Sequence, residues 1–279
     1  MGMRRFVVVL SALALVVALA GCGEKASAAE IVRAAPAKSQ SAKTAKMSVT
    51  TEAAGQTVTG EGATDFGAHK LQLNMSAPGA TTGSQKIELL SIGTDMYVKV
   101  PPEAASSVPG LSGKPYMKID LQAVGQSRGG DLNEFTRASD PGGQLDYLKG
   151  AAADVKAVGT ENVRGVKTTH YKATVDMNKA EASMTPEQRK SVDALKAKTG
   201  ITTIPVEVWV DTQGRARKFW SRIDMTKASD ASAKVGSVTT TLEFYDFGSP
   251  VQIEAPPPDQ VADLTNQVLQ GAGASKPGG

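Results

Sequence analysis

Between Thr44 and Phe247, apolar side chains recur at every second position in short runs, and each run is broken by residues suited to a turn. A two-residue period sends alternate side chains to opposite faces of an extended chain, so it can bury a core only as a sheet with one apolar face. Met47 and Val49 share a face of the first run, Val58 falls in the second, and Leu71, Leu73 and Met75 line the third. Ala54-Gly55 and Phe66-Gly67 are the turns between them. Further runs are expected at 85–92 and 96–100, joined at Gly93-Thr94-Asp95, and at 116–121. Pro101-Pro102 stops the fifth run. The stretch 101–113, with Pro109, Gly110 and Gly113, reads as a long loop, either a lid or a passive surface excursion. Strands resume at 154–162 and 167–176 around a hairpin at 162–165. The strongest hairpin spans 205–225, where Val206, Val208 and Val210 alternate with Glu207 and Trp209 before the turn Asp211-Thr212-Gln213-Gly214. A last strand, rich in Thr, Val and aromatics, is expected at 235–247.

Helical signals interrupt this pattern. Asp131 with Glu134 resembles a capping pair, and Asp140-Pro141 offers a cap and a first-turn proline ahead of Leu145 and Leu148. Thr185-Pro186-Glu187-Gln188 starts a helix that Gly200 ends, and Asp259 is placed to cap a helix carrying Val261, Leu264 and Val268. Each shows a small apolar patch rather than a full stripe, so these helices must dock on the sheet. The expected fold is α+β: a strongly curved antiparallel sheet of roughly ten strands, a half-barrel, with helices on its concave side.

The front of the chain has another character. Arg4 and Arg5 precede an uncharged apolar run at 6–20, and Leu19-Ala20-Gly21-Cys22 closes it with small residues and the one cysteine of the sequence. The run holds 15 residues, short of the roughly 18 to 20 a spanning helix needs. It reads as a secretory signal. Its end resembles the lipobox of bacterial lipoproteins, which implies lipidation at Cys22, cleavage before it and acylation of the new amine. The expected organisation is a signal peptide at 1–21, an Ala-, Ser- and Lys-rich tether at 22–43 with room for a helical turn or more around Ile31 and Val32, a half-barrel domain at 44–270 and a flexible tail at 271–279. With Cys22 alone there is no intramolecular disulfide, so the fold must rest on its core.

Removing residues 1–21 takes away two arginines and no acid, leaving 29 basic against 28 acidic residues. That balance, with no basic stripe interleaved with aromatics, argues against nucleic acid as a partner. Enzyme signals are poor. His69 and His170 sit in strands beside Lys or Tyr, no serine occupies a nucleophile elbow, and no spacing of His, Cys or carboxylates matches a zinc or calcium loop. Neither a cofactor nor a catalytic residue is expected.

The run Pro205-Val206-Glu207-Val208-Trp209-Val210-Asp211 with Gly214 resembles the actinobacterial lipoproteins of the LppX/LprG type, within the LolA-like half-barrel carriers. So do Tyr245-Asp246-Phe247-Gly248 through Val251, Ile253 and Pro256, and the hairpin from Val158-Gly159-Thr160 through Gly165 to Thr169-His170-Tyr171. The resemblance implies an apolar cavity holding acyl chains or glycolipid, and transfer across the envelope. By strand parity, Met47, Val49, Leu71, Leu73, Met75, Ile87, Leu89, Met117, Ile119, Val208, Ile223 and Met225 are expected to line it. Met96 falls on the same parity. Flexible thioethers suit a wall that accepts variable chains, as they also suit gaps in an ordinary core. The expected partners are the membrane, through acylated Cys22, and a lipid or glycolipid. The competing expectation is an envelope lipoprotein that uses the same curved sheet as a protein-interaction or sensor module.

Overall fold

The structure, a computed structural model, describes residues 26–78, 84–106, 108–127, 145, 148, 152–181, 189, 192, 193, 196, 197, 199–228 and 234–273. The signal, Cys22, the 131–141 helix signals and the start of the 185–200 helix lie outside these residues.

The first described element extends the helical turn expected around Ile31 and Val32 into a docked helix. Residues Ala28–Gln40 form helix α1, capped by a reciprocal pair in which Ser27 Oγ accepts from the Glu30 amide and the Glu30 carboxylate accepts from the Ser27 amide. Pro36 lies inside it and leaves the Val32 carbonyl without its usual donor. Burial compensates. Val32, Ala35, Pro36 and Ser39 make one buried face, and their small size lets the helix lie close to the sheet.

Five strands follow as a meander: β1 Thr44–Ala53, β2 Gln56–Asp65, β3 Lys70–Pro78, β4 Ser84–Ile92 and β5 Asp95–Lys99. A short helix α2, Pro102–Ala105, begins the 101–113 loop, and β6, Tyr116–Asp120, runs into helix α3, Leu121–Ser127. The second half contains β7 Ala152–Val163, β8 Val166–Asp176, the short helix α4 Met177–Ala180, β9 Thr203–Asp211, β10 Ala216–Asp224 and β11 Ser237–Tyr245. Arg164 and Gly165, both at positive φ, make the two-residue turn between β7 and β8. Gly200, at φ +69°, donates to the Lys196 carbonyl as the expected left-handed stop.

With Val261–Asp263 as β12, the order across the sheet is β12-β6-β5-β4-β3-β2-β1-β11-β10-β9-β8-β7. The fold is the expected α+β half-barrel, a curved and unclosed sheet, with one strand type unforeseen. Val261–Asp263, expected within a helix capped by Asp259, is a short strand β12 lying parallel to β6, which makes the sheet mixed. Asp259 instead sits in a 3-10 turn, and the last helix, α5 Thr265–Gly273, starts where Asp263 accepts from the Thr265 amide. The edge of β6 explains the difference: its unpaired groups offered three residues a ladder, which outweighed the helical spacing of Val261, Leu264 and Val268.

At β2 the neighbouring strands come especially close. Gly60 and Gly62 both fall on the face that carries Met47 and Val49. A Cβ on Gly62 would lie 1.8 Å from the Gln72 carbonyl oxygen of β3, so only glycine lets the two backbones approach this closely. A Cβ on Gly60 would press on Val49 Cγ1 at 2.8 Å and Met75 Cγ at 3.3 Å.

Candidate functional site

The pairing register sorts the side chains into two faces without ambiguity, because residues directly opposite one another point the same way. One row runs Ile87, Met75, Gly60, Val49, Leu242, Phe219, Val208 and Tyr171, from β4 to β8. The neighbouring row runs Ala262, Met117, Val98, Leu89, Leu73, Gly62, Met47 and Phe244. Neither carries a charged side chain. A third begins Ile119, Met96, Ser91 and Leu71, and Ile223 pairs with Val238 at the far end of the first face. All the lining residues expected from parity therefore share one face, except Met225, which follows the last paired residue of β10 and belongs to no strand.

This is the face on which the helices pack. Val32 and Ala35 of α1, Leu145, Leu148 and Val192 join Met47, Leu71, Leu73, Val208, Phe219, Leu242 and Phe244 in one apolar cluster. Leu145 and Leu148, expected to dock on the sheet, are fully buried. Burial is uneven along the face. Met47, Val208 and Phe244 are at most 1% exposed. Val49, Met75, Ile87, Leu89, Met117, Ile119 and Ile223 are half-buried, as are Met96 and Val98. Aliphatic side chains that neither reach solvent fully nor leave it are the feature of this face that a ligand could use. Sequence parity missed Phe219, Leu242, Phe244 and Tyr171 as members of the same wall, although their alternation carries the same signal.

The 101–113 loop is docked. Leu111 is fully buried beside Val100, Ala262 and Leu264, with Met117 packed against them. Gly110, at φ +84°, passes so near α5 that a Cβ there would meet Gln267 Nε2 at 2.8 Å.

The outer face is polar and partly covered. Val251 and Ile253, after β11, lie over Leu90, Tyr97, Ala63 and Ile92, held by Lys70 Nζ donating to the Ile253 carbonyl at 3.1 Å. Asp211 is buried there and accepts from the Gln213 and Arg215 amides and from the Nε groups of Arg215 and Arg217. Burial alone would raise its pKa, but those hydrogen bonds and the Arg215 charge together hold it below the usual carboxylate value. Both guanidinium groups also lie over Phe247.

His170, buried on the same face, stacks on Trp209 at 4.1 Å between ring centroids. Its Nδ1 lies 2.9 Å from Glu161 and its Nε2 2.7 Å from Glu207. Trp209 Nε1 donates to the other Glu161 oxygen at 2.8 Å, and this bond, with His170 and Lys218 nearby, lowers the Glu161 pKa. The arrangement fastens the edge strand β7 to β8 and β9. His69 sits at positive φ in the turn before β3. Among the described residues no group of His, Cys, Asp and Glu could hold a metal ion, and no helix is long and apolar enough to cross a membrane.

Fold and face together define a curved α+β sheet with an uncharged, half-covered inner wall. No family model matches the chain. It is 28% identical over 192 residues to an uncharacterised protein from the rplA–rplJ intergenic region of Streptomyces griseus, a match covering 68% of this chain and 60% of that one. It is 26% identical over 182 residues to a candidate lipoprotein of Streptomyces coelicolor, covering 65% and 53%. The match thus spans little more than half the length of these relatives. Among solved structures it resembles the lipoprotein LppX of Mycobacterium tuberculosis, at a TM-score of 0.45 and 16% identity over 80% of this chain and 98% of that one. LprF of Mycobacterium bovis is similar at 0.46 and 13%, over 82% and 96%.

Proposed function

We propose that the chain is a membrane-anchored extracytoplasmic lipoprotein that binds the acyl chains of a lipid or glycolipid against the inner face of its sheet and carries them within the cell envelope. The observation that supports this most is the uneven burial of that face. Met75, Val49 and Leu89 pack only partly against the cluster that encloses Met47 and Phe244, and Ile87 beside them is half-buried. Aliphatic surface left partly uncovered beneath docked helices favours an apolar guest, since each buried methylene gains about 0.8 kcal/mol. Methionine at 47, 75 and 117 allows the wall to adapt to chains of different shape. Anchoring would come from acylated Cys22, where several acyl chains on one residue hold far more firmly than one.

The experiment is gentle purification of the full lipoprotein from membranes, followed by mass spectrometry of the lipids extracted from it. Non-covalent acyl lipid at a fixed ratio to protein is expected. Repeated recovery of lipid-free protein would sink the carrier reading and leave the interaction module. A second arm uses Met75→Glu and Ile87→Glu. Each puts a carboxylate on a half-buried part of the wall, so the fold should persist by circular dichroism while recovered lipid falls several-fold.

A further inference from the structure

The outer face of the sheet divides into two belts of polar side chains. The belt nearer the turns 164–165 and 211–215 is bonded to itself. Trp209 Nε1 donates to Glu161, His170 and Lys218 lie against the Trp209 ring, and Arg164 donates to Glu243 and Ser48 while covering Tyr245. Two residues further along each strand runs a cross-strand row of Trp220 on β10, Thr241 on β11, Thr50 on β1, Thr59 on β2 and Ser76 on β3. Their side chains make no hydrogen bond among the described residues. All five point outward, because the next residues along, Phe219, Leu242, Val49, Gly60 and Met75, belong to the inner wall. Thr59 is exposed and the other four are half-buried.

The two tryptophans of the chain thus share a face and differ in surroundings. Trp209 is 6% exposed, with its ring covered and its N–H satisfied. Trp220 has neither a ring contact nor a hydrogen bond of that kind, and half-covering so large a ring forgoes apolar burial. From it the row crosses five adjacent central strands, about 19 Å at the usual strand spacing. It carries no charge between Glu207 at its β9 end and Lys86 at its β4 end.

That chemistry selects among ligands. Nucleic acid would need a stripe of cations, an acyl chain an apolar wall, and a protein partner an apolar centre to the interface. Hydroxyl groups that both donate and accept, beside one aromatic ring, match a ligand built the same way, with hydroxyls around its rings and apolar C–H groups on their faces. We propose that this row binds a strand of neutral polysaccharide. Trp220 stacks on the C–H face of one sugar ring, and the hydroxyls of Thr241, Thr50, Thr59 and Ser76 exchange hydrogen bonds with successive rings. The headgroup of a guest glycolipid is not the ligand, because the row lies across the sheet from the wall proposed to hold the acyl chains, far from either margin. The site stands independently of the carrier reading and gives the protein a hold on a glycan layer.

The test uses the full lipoprotein in a detergent without a sugar headgroup, passed over beads that carry a glucan, a mannan, a galactan or, as a charged control, alginate. The wild type should be retained by at least one neutral glycan and stay bound at about 1 M salt, where charge attraction is screened. Trp220→Ala should cut the bound fraction several-fold, and Trp220→Phe less. Thr50→Val combined with Thr59→Val removes two hydroxyls and keeps the β-branched shape that strands favour. It should also cut retention several-fold, with an unchanged circular dichroism spectrum. Thr160→Val, at an exposed position on β7 outside the row, should leave retention as it is. No retention of the wild type on any neutral glycan, equal retention of wild type and Trp220→Ala, or retention on alginate alone would overturn the site. Guest lipid should be recovered equally from wild type and Trp220→Ala. A fall in that lipid would mean that the indole serves a bound headgroup, which overturns the polysaccharide assignment. Glycan retention by protein that never yields guest lipid keeps this site and removes the carrier.

Discussion

Two glycines and one aspartate show how single residues set this shape. Gly62 tolerates no Cβ, because the obstacle at 1.8 Å is the Gln72 carbonyl, part of the backbone of the next strand. At Gly60 the obstacles are the side chains of Val49 and Met75, which can turn aside. Gly62→Ala should therefore cost about 3 kcal/mol or more in urea unfolding, and Gly60→Ala clearly less. Equal losses would mean that β2 and β3 can move apart freely. Asp211 supplies a pH dependence whose sign is fixed. Its folded pKa lies below the unfolded value of about 3.9, so its contribution is complete well above that value and fades as pH falls through it toward the folded pKa. Asp211→Asn should lower stability at pH 7 more than at pH 3, as measured by thermal unfolding at both. The partners of Asp211 at 215 and 217 are local enough to be read from the turn sequence. Those of His170, at 161 and 207, belong to two other strands and leave no mark in the linear spacing.

Among the elements, the strands were legible and α1 only as a turn around Ile31 and Val32, without its full length or its docking, and the reason is physical. A two-residue period survives inspection because a slip by one residue would turn every side chain of a strand to the wrong face. Parity could thus assign the inner face from Met47 to Ile223, whereas Met225 lies one residue past the paired part of β10, where the register ends. The buried side of α1 is instead built largely of Ala35, Pro36 and Ser39, small residues that look like linker composition, and Pro36 argues against a helix interior. Packing outweighs propensity there. Val32→Asp would bury a carboxylate against the main cluster and should cost about 3 kcal/mol or more, measurable by urea unfolding. In a tether the same change would be silent. β12 was hidden for the opposite reason: three residues are too few to show a period, and a neighbouring edge decides their conformation.

At the scale of the whole molecule, helices and strands enclose an inner wall without charge, while the outer face carries the ion pairs Lys46–Asp246, Arg164–Glu243 and Lys172–Glu207. These pairs are partly solvent-exposed and each adds little to stability. The stability of the fold rests on the wall itself. Phe244→Ala, at a fully buried position, should cost about 3 to 5 kcal/mol in the empty protein. A bound acyl guest should raise the unfolding midpoint of the wild type and do so less in Met75→Glu, since ligand binding to the folded state alone stabilises it by mass action.

The strand order begins at β12 and finishes at β7 without returning to its start. A closed barrel has a girth set by its strand number and stagger, and a larger guest could enter only by rupturing a ladder. Here the two margins share no ladder among the described residues, so widening the cup would break no strand pairing between them. Under the proposed carrier function, capacity in such a vessel would be elastic, and one sequence could house cargoes of different bulk.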